Sequence, residues 1–183
     1  MEDQKWMSTF RTRAVDLQDE WTLHMDDSIK PKNAGPGFFE YLRGSFAEFR
    51  CSGCGRSWPS KRVQVVFHFS RDVTSGRGIV KVRRCKQECR RCSVPQKEKP
   101  KFSQENIDVM VEKLIEKIKL KCYGEQVGES ARPLYVMGEV NGPHESAHCE
   151  ACQLGICQQA TLTTQLPQLS VSATIVPTGR VVH

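Results

Sequence analysis

The sequence contains no apolar run approaching the roughly 18 residues that a bilayer-spanning helix needs, and its mean hydropathy is −0.49. Met1 to Phe10 lacks the apolar h-region of a secretory signal. A polytopic membrane protein and a secreted protein are therefore not expected. Enzyme signatures are missing too: there is no P-loop, no G-x-S-x-G and no dinucleotide fingerprint. Acidic residues are scarce in the middle of the chain. From Arg43 to Lys101 there are 4 Asp/Glu against 16 Lys/Arg, whereas the remainder holds 17 against 11. Charge of either sign is scarce at the end, where Arg180 is the one charged residue from Gln158 to Val182. Such a segment has little with which to offset ordering entropy, so 158–183 is read as a disordered tail behind a domain spanning 1–157.

What is abundant is cysteine. Nine occur in 183 residues that are 38% hydrophobic and 26% charged, a composition that permits one domain with a modest core. Without a secretory signal, disulfides are not the first reading. Cys51-Ser-Gly-Cys54, Cys89-Arg-Arg-Cys92 and Cys149-Glu-Ala-Cys152 are three CxxC pairs. A tight CxxC loop presents two thiolates to one tetrahedral ion, and zinc favours sulfur and nitrogen ligands. No βαβ pattern surrounds any pair, which argues against a thioredoxin-like redox role.

Hydropathy periods organise the rest. Trp6, Phe10, Ala14 and Leu17 fit an amphipathic helix within 3–18, and Trp21, Leu23 and Met25 alternate as an extended segment. Two prolines and two glycines make Lys30 to Gly37 a loop. Tyr41 to Arg50 leads into the first CxxC as a strand. Val63, Val65, Phe67 and Phe69 alternate over 62–70, a turn follows at Thr74 to Gly78, and Ile79 to Arg84 returns. This is the logic of a zinc ribbon, with two CxxC loops held at the ends of neighbouring strands. Ser103 then caps a helix with a stripe of Ile107, Met110, Val111, Leu114, Ile115, Ile118 and Cys122, ended by Gly124. A further strand is read over 133–140. The expected fold is α+β: a small zinc-stabilised sheet with ribbon-like knuckles, packed against an amphipathic helix.

The ligand arithmetic does not close from spacing alone. The first two pairs make one four-thiolate site, and the third pair needs outside ligands. His144, His148, Cys157 and His68 are candidates, and Cys85, four residues before Cys89, has a permissible spacing. His148, beside Cys149, would strain to reach the same ion. His148-Cys149-Glu150 resembles half of a deaminase signature, but no P-C-x-x-C follows it. The metal is thus expected to be structural, and the chain is not expected to be an enzyme. The basic block suggests a second kind of partner. Arg83, Arg84, Lys86, Arg90 and Arg91 would meet RNA phosphates, with Phe67 or Trp58 available for stacking, although core packing is the preferred role for Trp58. An anionic membrane surface is the other expected target of this charge.

Taken together, Trp21-Thr-Leu, Phe49-Arg-Cys51-Ser-x-Cys54-x-x-Ser-Trp58, Val65-Val-Phe-His68, Cys89-x-x-Cys92, Cys122-Tyr-Gly124-Glu and Cys149-Glu-Ala-Cys152-Gln-Leu-Gly-Ile-Cys157 resemble the receptor-transporting proteins. These carry the three-CxxC zinc-finger domain, and the likeness covers about Trp6 to Cys157. It implies a zinc-binding adaptor that binds odorant- or taste-type G-protein-coupled receptors and promotes their delivery to the cell surface. It also implies, as the alternative, an interferon-induced antiviral protein that binds RNA. On matching positions Cys51, Cys54, Cys89, Cys92, Cys149 and Cys152 are the implied zinc ligands, with His68 and Cys157 at recurrent positions. Many members end in a membrane-spanning helix. None is present here, so the expectation is a cytoplasmic protein, peripheral at the ER or plasma membrane.

Overall fold

A computed structural model describes residues 1–128, 132–133 and 144–157. The chain opens with helix α1 (Glu2–Arg13), extended by a 3-10 turn over Ala14–Asp16. Trp6 and Phe10 lie one turn apart and are buried on a single face. Strand β1 (Glu20–Met25) follows and alternates as expected, with Trp21 and Leu23 inward. Strands β2 (Phe39–Arg50), β3 (Ser57–Asp72) and β4 (Arg77–Arg84) complete a four-stranded sheet in the order β1-β4-β3-β2. β1 runs parallel to β4, and the other pairs are antiparallel. Short strands β5 (Gln87–Glu88) and β6 (Lys97–Glu98) form a separate ribbon before helix α2 (Gln104–Tyr123).

Helix α2 begins and ends as its sequence requires. The Ser103 hydroxyl accepts from the Asn106 N–H at 3.2 Å, satisfying one orphan donor. At the other end Gly124 takes a left-handed φ of 66°, and the Glu125 N–H reaches back to the Lys119 carbonyl. The stripe from Ile107 to Ile118 packs with α1 over the Val63, Val65, Phe67 and Phe69 face of the sheet. Trp6 meets Phe102 edge-on at 5.6 Å and lies 6.1 Å from Phe67. Cys122 sits at the margin of this core, packed against it.

The opposite sheet face differs from the expectation. Alternation in β3 sets Gln64, Val66 and His68 on the face away from the core stripe, yet β3 is buried without a break from Val63 to Phe69. A second cluster covers that face: Ile29, Val66, Cys85, Cys149, Ala151, Ile156 and Cys157. The segment carrying the third CxxC therefore lies across the sheet opposite the helices. It includes a 3-10 turn at Ser146–His148 and the single-turn helix α3 (Glu150–Gln153). The strand read at 133–140 lies outside the described residues from 134 onward, as does the tail at 158–183.

Candidate metal centres

The first centre is built at the β2–β3 turn. The Cys51 N–H donates to the Arg56 carbonyl at 2.8 Å, and the Gly55 N–H donates to the Cys51 carbonyl at 2.9 Å. Gly55, with φ of 72°, supplies the left-handed step of this knuckle. The Cys54 N–H also points at the Cys51 sulfur, 3.4 Å away. Cys89 and Cys92 follow β5 on a loop closed by β6. Glu98 in β6 accepts from the Ser52 N–H and hydroxyl, both at 2.6 Å, and so ties this loop to the first knuckle.

The four sulfurs converge. Cys51 Sγ is 3.4 Å from Cys92 Sγ, and Cys54 Sγ is 3.7 Å from Cys89 Sγ. All four lie within 4.8 Å of one another. These separations are far above a disulfide bond, and all nine cysteines are free thiols. A tetrahedral zinc at about 2.3 Å from each thiolate would set the sulfurs about 3.8 Å apart, so the residues fit a four-thiolate zinc site.

A second group comprises His144, Cys149, Cys152 and Cys157, whose ligand atoms also lie within 4.8 Å of one another. His144 Nε2 is 3.0 Å from Cys152 Sγ and 3.4 Å from Cys157 Sγ. Gly155 makes this possible locally. Its φ of 67° reverses the chain after α3, and the Cys157 N–H returns to the Ala151 carbonyl at 3.2 Å. Glu150 then anchors the group to the sheet. One carboxylate oxygen accepts from Arg83 Nη2 and the other from the Lys86 N–H, each at 2.7 Å. One His and three Cys supply the four donors of a closed tetrahedral zinc set.

The electrostatics fit a cation. The Arg91 backbone N–H draws the Cys89 thiol well below its ordinary range, to about 6, which favours the thiolate a metal needs. Burial and its thiol neighbours raise Cys149. Crowded thiols resist ionising together until a divalent ion offsets their charge. Cys85 is different. Burial, then the Glu150 carboxylate, pushes it up to about 12, and it lies outside both four-residue groups.

The structure brings His144 into the second group and leaves His68 out. His68 is 2% exposed on β3, and its Nε2 is 2.7 Å from the Glu40 carboxylate across the β2–β3 pair. That partner, together with its position on the sheet, holds the ring away from the sulfurs. His148 also points elsewhere, with Nδ1 3.6 Å from Glu88. The spacing His144-x4-Cys149-x2-Cys152-x4-Cys157 was the available signal for the set, whereas nothing in the sequence marks Glu150 as its anchor.

The basic residues read as an RNA contact are mostly spent inside the fold. Arg83 donates to Glu150 and to the Ile29 carbonyl, and Arg84 is buried against Asp3. Lys86 pairs with Asp27 at 2.8 Å, and Arg90 faces Glu145 at 3.6 Å. Arg91 alone of the five is exposed without a carboxylate in reach among the described residues. Phe67 is fully buried. Trp58 is half-buried at the core margin, where it stacks on Phe49 at 5.4 Å and donates to Gln87, the packing role preferred for it.

Two thiolate-rich clusters, one clamped across a β-hairpin and one strapped over the sheet, define a zinc-ribbon protein. Residues 44–155 match the family model of the three-CxxC zinc ribbon, described as a zinc-binding domain. The chain is 36% identical over 164 residues to receptor-transporting protein 3 of Mus musculus, covering 87% of this chain and 34% of the relative. It is 34% identical over 157 residues to receptor-transporting protein 4 of Homo sapiens, covering 84% and 64%. With receptor-transporting protein 2 of Mus musculus the identity is 35% over 160 residues, covering 83% and 69%. The chain thus belongs to the three-CxxC zinc-binding family that includes the receptor-transporting proteins. It spans about a third of the first of these relatives and just under two thirds of the second. No solved structure matches it significantly. No helix among the described residues is long and apolar enough to cross a membrane.

Proposed function

We propose that this chain is a zinc-stabilised adaptor that binds G-protein-coupled receptors of the odorant or taste type and promotes their delivery to the cell surface. The observation that carries this reading is the family likeness. It runs through the sheet and the cysteine clusters, and the relatives bear the name receptor-transporting. Under this reading 1–157 is the working unit, and Cys51, Cys54, Cys89 and Cys92 form one zinc site. Cys149, Cys152, Cys157 and His144 form the other. Zinc would supply folding free energy rather than chemistry, by clamping loops that the modest apolar core does not hold. The working place is the cytoplasmic side of the ER or plasma membrane, where a receptor's cytoplasmic face is within reach.

The test is surface display of a poorly trafficked odorant receptor in cultured cells, with and without the full chain. A rise with the wild type that Cys51→Ser, Cys54→Ser abolishes supports the adaptor. Unchanged display, with the wild type expressed, folded and zinc-loaded, refutes it.

A further inference from the structure

The distal half of the β2–β3 hairpin, beyond α2, carries a surface that neither the zinc sites nor the receptor reading uses. Between the pairs Ser45–Val63 and Ala47–Ser60, β3 contains one residue more than β2. This bulge breaks the alternation, so that Lys61 and Arg62 are both exposed although they are consecutive. Past the bulge Ala47 and Phe49 turn into the core, which leaves Glu48, Arg50, Ser57 and Pro59 on the outer side, all exposed. Lys101 joins them as an extra edge position. Its N–H and carbonyl exchange hydrogen bonds with Glu48 at 2.7 and 2.9 Å.

Through much of the rest of the basic stretch the cations are consumed. Arg71, Arg77, Lys81, Arg83, Arg84, Lys86 and Lys99 each face a carboxylate. Arg50, Lys61, Arg62 and Lys101 form no ion pair among the described residues, and the acid named on this side is Glu48, opposite Lys101. Beyond them the zinc-clamped loops end the hairpin. There Arg91 is exposed, and so is Val94, at 75%.

We infer that this face docks on an anionic lipid bilayer. The target must be negative and extended, because the charges are spread along the outer side of a strand pair, from Lys61 and Arg62 at the bulge to Arg50 at the knuckle. A bilayer fits better than single-stranded RNA: the exposed residues named on this outer side include no aromatic ring on which bases could stack, and Phe49 lies on the core side of β2. Each Lys or Arg held near an anionic leaflet strengthens binding by about fivefold. Docking this way needs no receptor, so this inference stands or falls separately from the proposed function.

The experiment is co-sedimentation of the zinc-loaded full chain with phosphatidylcholine vesicles, with or without about one third phosphatidylserine. Two variants are compared: Arg50→Glu/Lys61→Glu/Arg62→Glu/Lys101→Glu on the hairpin, and Lys117→Glu/Lys119→Glu/Lys121→Glu at the end of α2. Zinc content and circular dichroism establish that each is folded. The expected result is binding to phosphatidylserine vesicles alone, lost at least tenfold in the hairpin variant and largely kept in the helix variant. If wild type ignores both vesicles, or both variants lose binding equally, the face is not a docking surface. If single-stranded poly(U) displaces the protein from vesicles at equal phosphate concentration and requires the hairpin cations, the surface is one for nucleic acid and the lipid inference is overturned.

Discussion

The guanidinium of Arg83 in β4 and the carboxylate of Glu150 in α3 meet at 2.7 Å, both largely buried, and join the sheet to the loop that carries the second metal centre. Glu150 stands between Cys149 and Cys152, so any slack in this pair is passed to the ligands. Its second oxygen is fixed by the Lys86 N–H, which places the carboxylate rigidly. Replacing Glu150 by Ala leaves Arg83 buried without its counter-charge. We expect a loss of roughly 3 kcal/mol in unfolding free energy. Zinc should also leave the second site more readily. Urea unfolding and a competition titration with a chromophoric chelator check both effects, and a variant matching wild type in each would show that the pair does not hold the strap.

Zinc stoichiometry separates the two histidines. Purified wild type should carry two zinc ions, one for each cluster. His144→Ala should reduce this toward about one, because three thiolates and no nitrogen donor leave the site incomplete. His68→Ala should keep both ions while costing on the order of 1–3 kcal/mol, since it strips a buried hydrogen bond from Glu40. Elemental analysis after dialysis against a weak chelator decides between them.

Complete removal of metal with a strong chelator should unfold the ribbon and expose the sheet face now covered by the 144–157 segment. The near-ultraviolet signal of the buried tryptophans and the thermal midpoint should both fall, and both should recover when zinc is restored. Retention of native packing without metal would mean that the apolar core suffices.

Gly78 permits a close approach that no other residue would. A Cβ there would lie 2.1 Å from Cδ2 of Trp21, inside the ring of its partner on β1. Trp21 cannot easily withdraw, since its Nε1 donates to the Tyr123 hydroxyl at 2.9 Å. Gly78→Ala should therefore destabilise by about 2 kcal/mol or more through overpacking, read as a lowered urea midpoint.

Asp19 gives a pH dependence whose direction is fixed by its partners. Hydrogen bonds from Tyr123 and Arg71 hold its carboxyl below the ordinary range. A carboxyl depressed in the folded state adds stability that is fully present above its unfolded pKa and is lost as pH falls through the folded value. The stability gap between wild type and Asp19→Asn should thus be full near neutrality and close below about pH 4. Zinc content is followed in both proteins and the gap is compared only where both keep their metal, so the difference isolates the carboxylate. A gap that stays constant down to about pH 3, below the ordinary carboxyl range, would contradict the assignment.

Much of this protein is written locally. The stripe of α2 with its Ser103 cap and Gly124 stop, the alternation of Trp21 and Leu23, and the CxxC knuckles each depend on neighbours within a few residues. Helical period, capping chemistry and left-handed glycines are short-range properties, and a linear sequence displays them. The zinc chemistry was legible for the same reason, because each pair of thiols is pre-assembled by its own loop. The hairpin between the first two pairs already pointed to one shared four-thiolate site, as the structure has it; which histidine completes the second set was decided only by the fold. His68 looked available because strand alternation placed it on an outer face, but the 144–157 segment covers that face and Glu40 holds the ring. His144 qualifies because Gly155 turns the chain so that Cys157 returns beside it. The basic block shows the same divide: counting charges found it, but ion pairs formed between residues far apart in sequence, such as Arg84 with Asp3 and Arg83 with Glu150, determined which cations remain for a partner. Charge is a sum over residues, whereas availability depends on what long-range packing places beside each one.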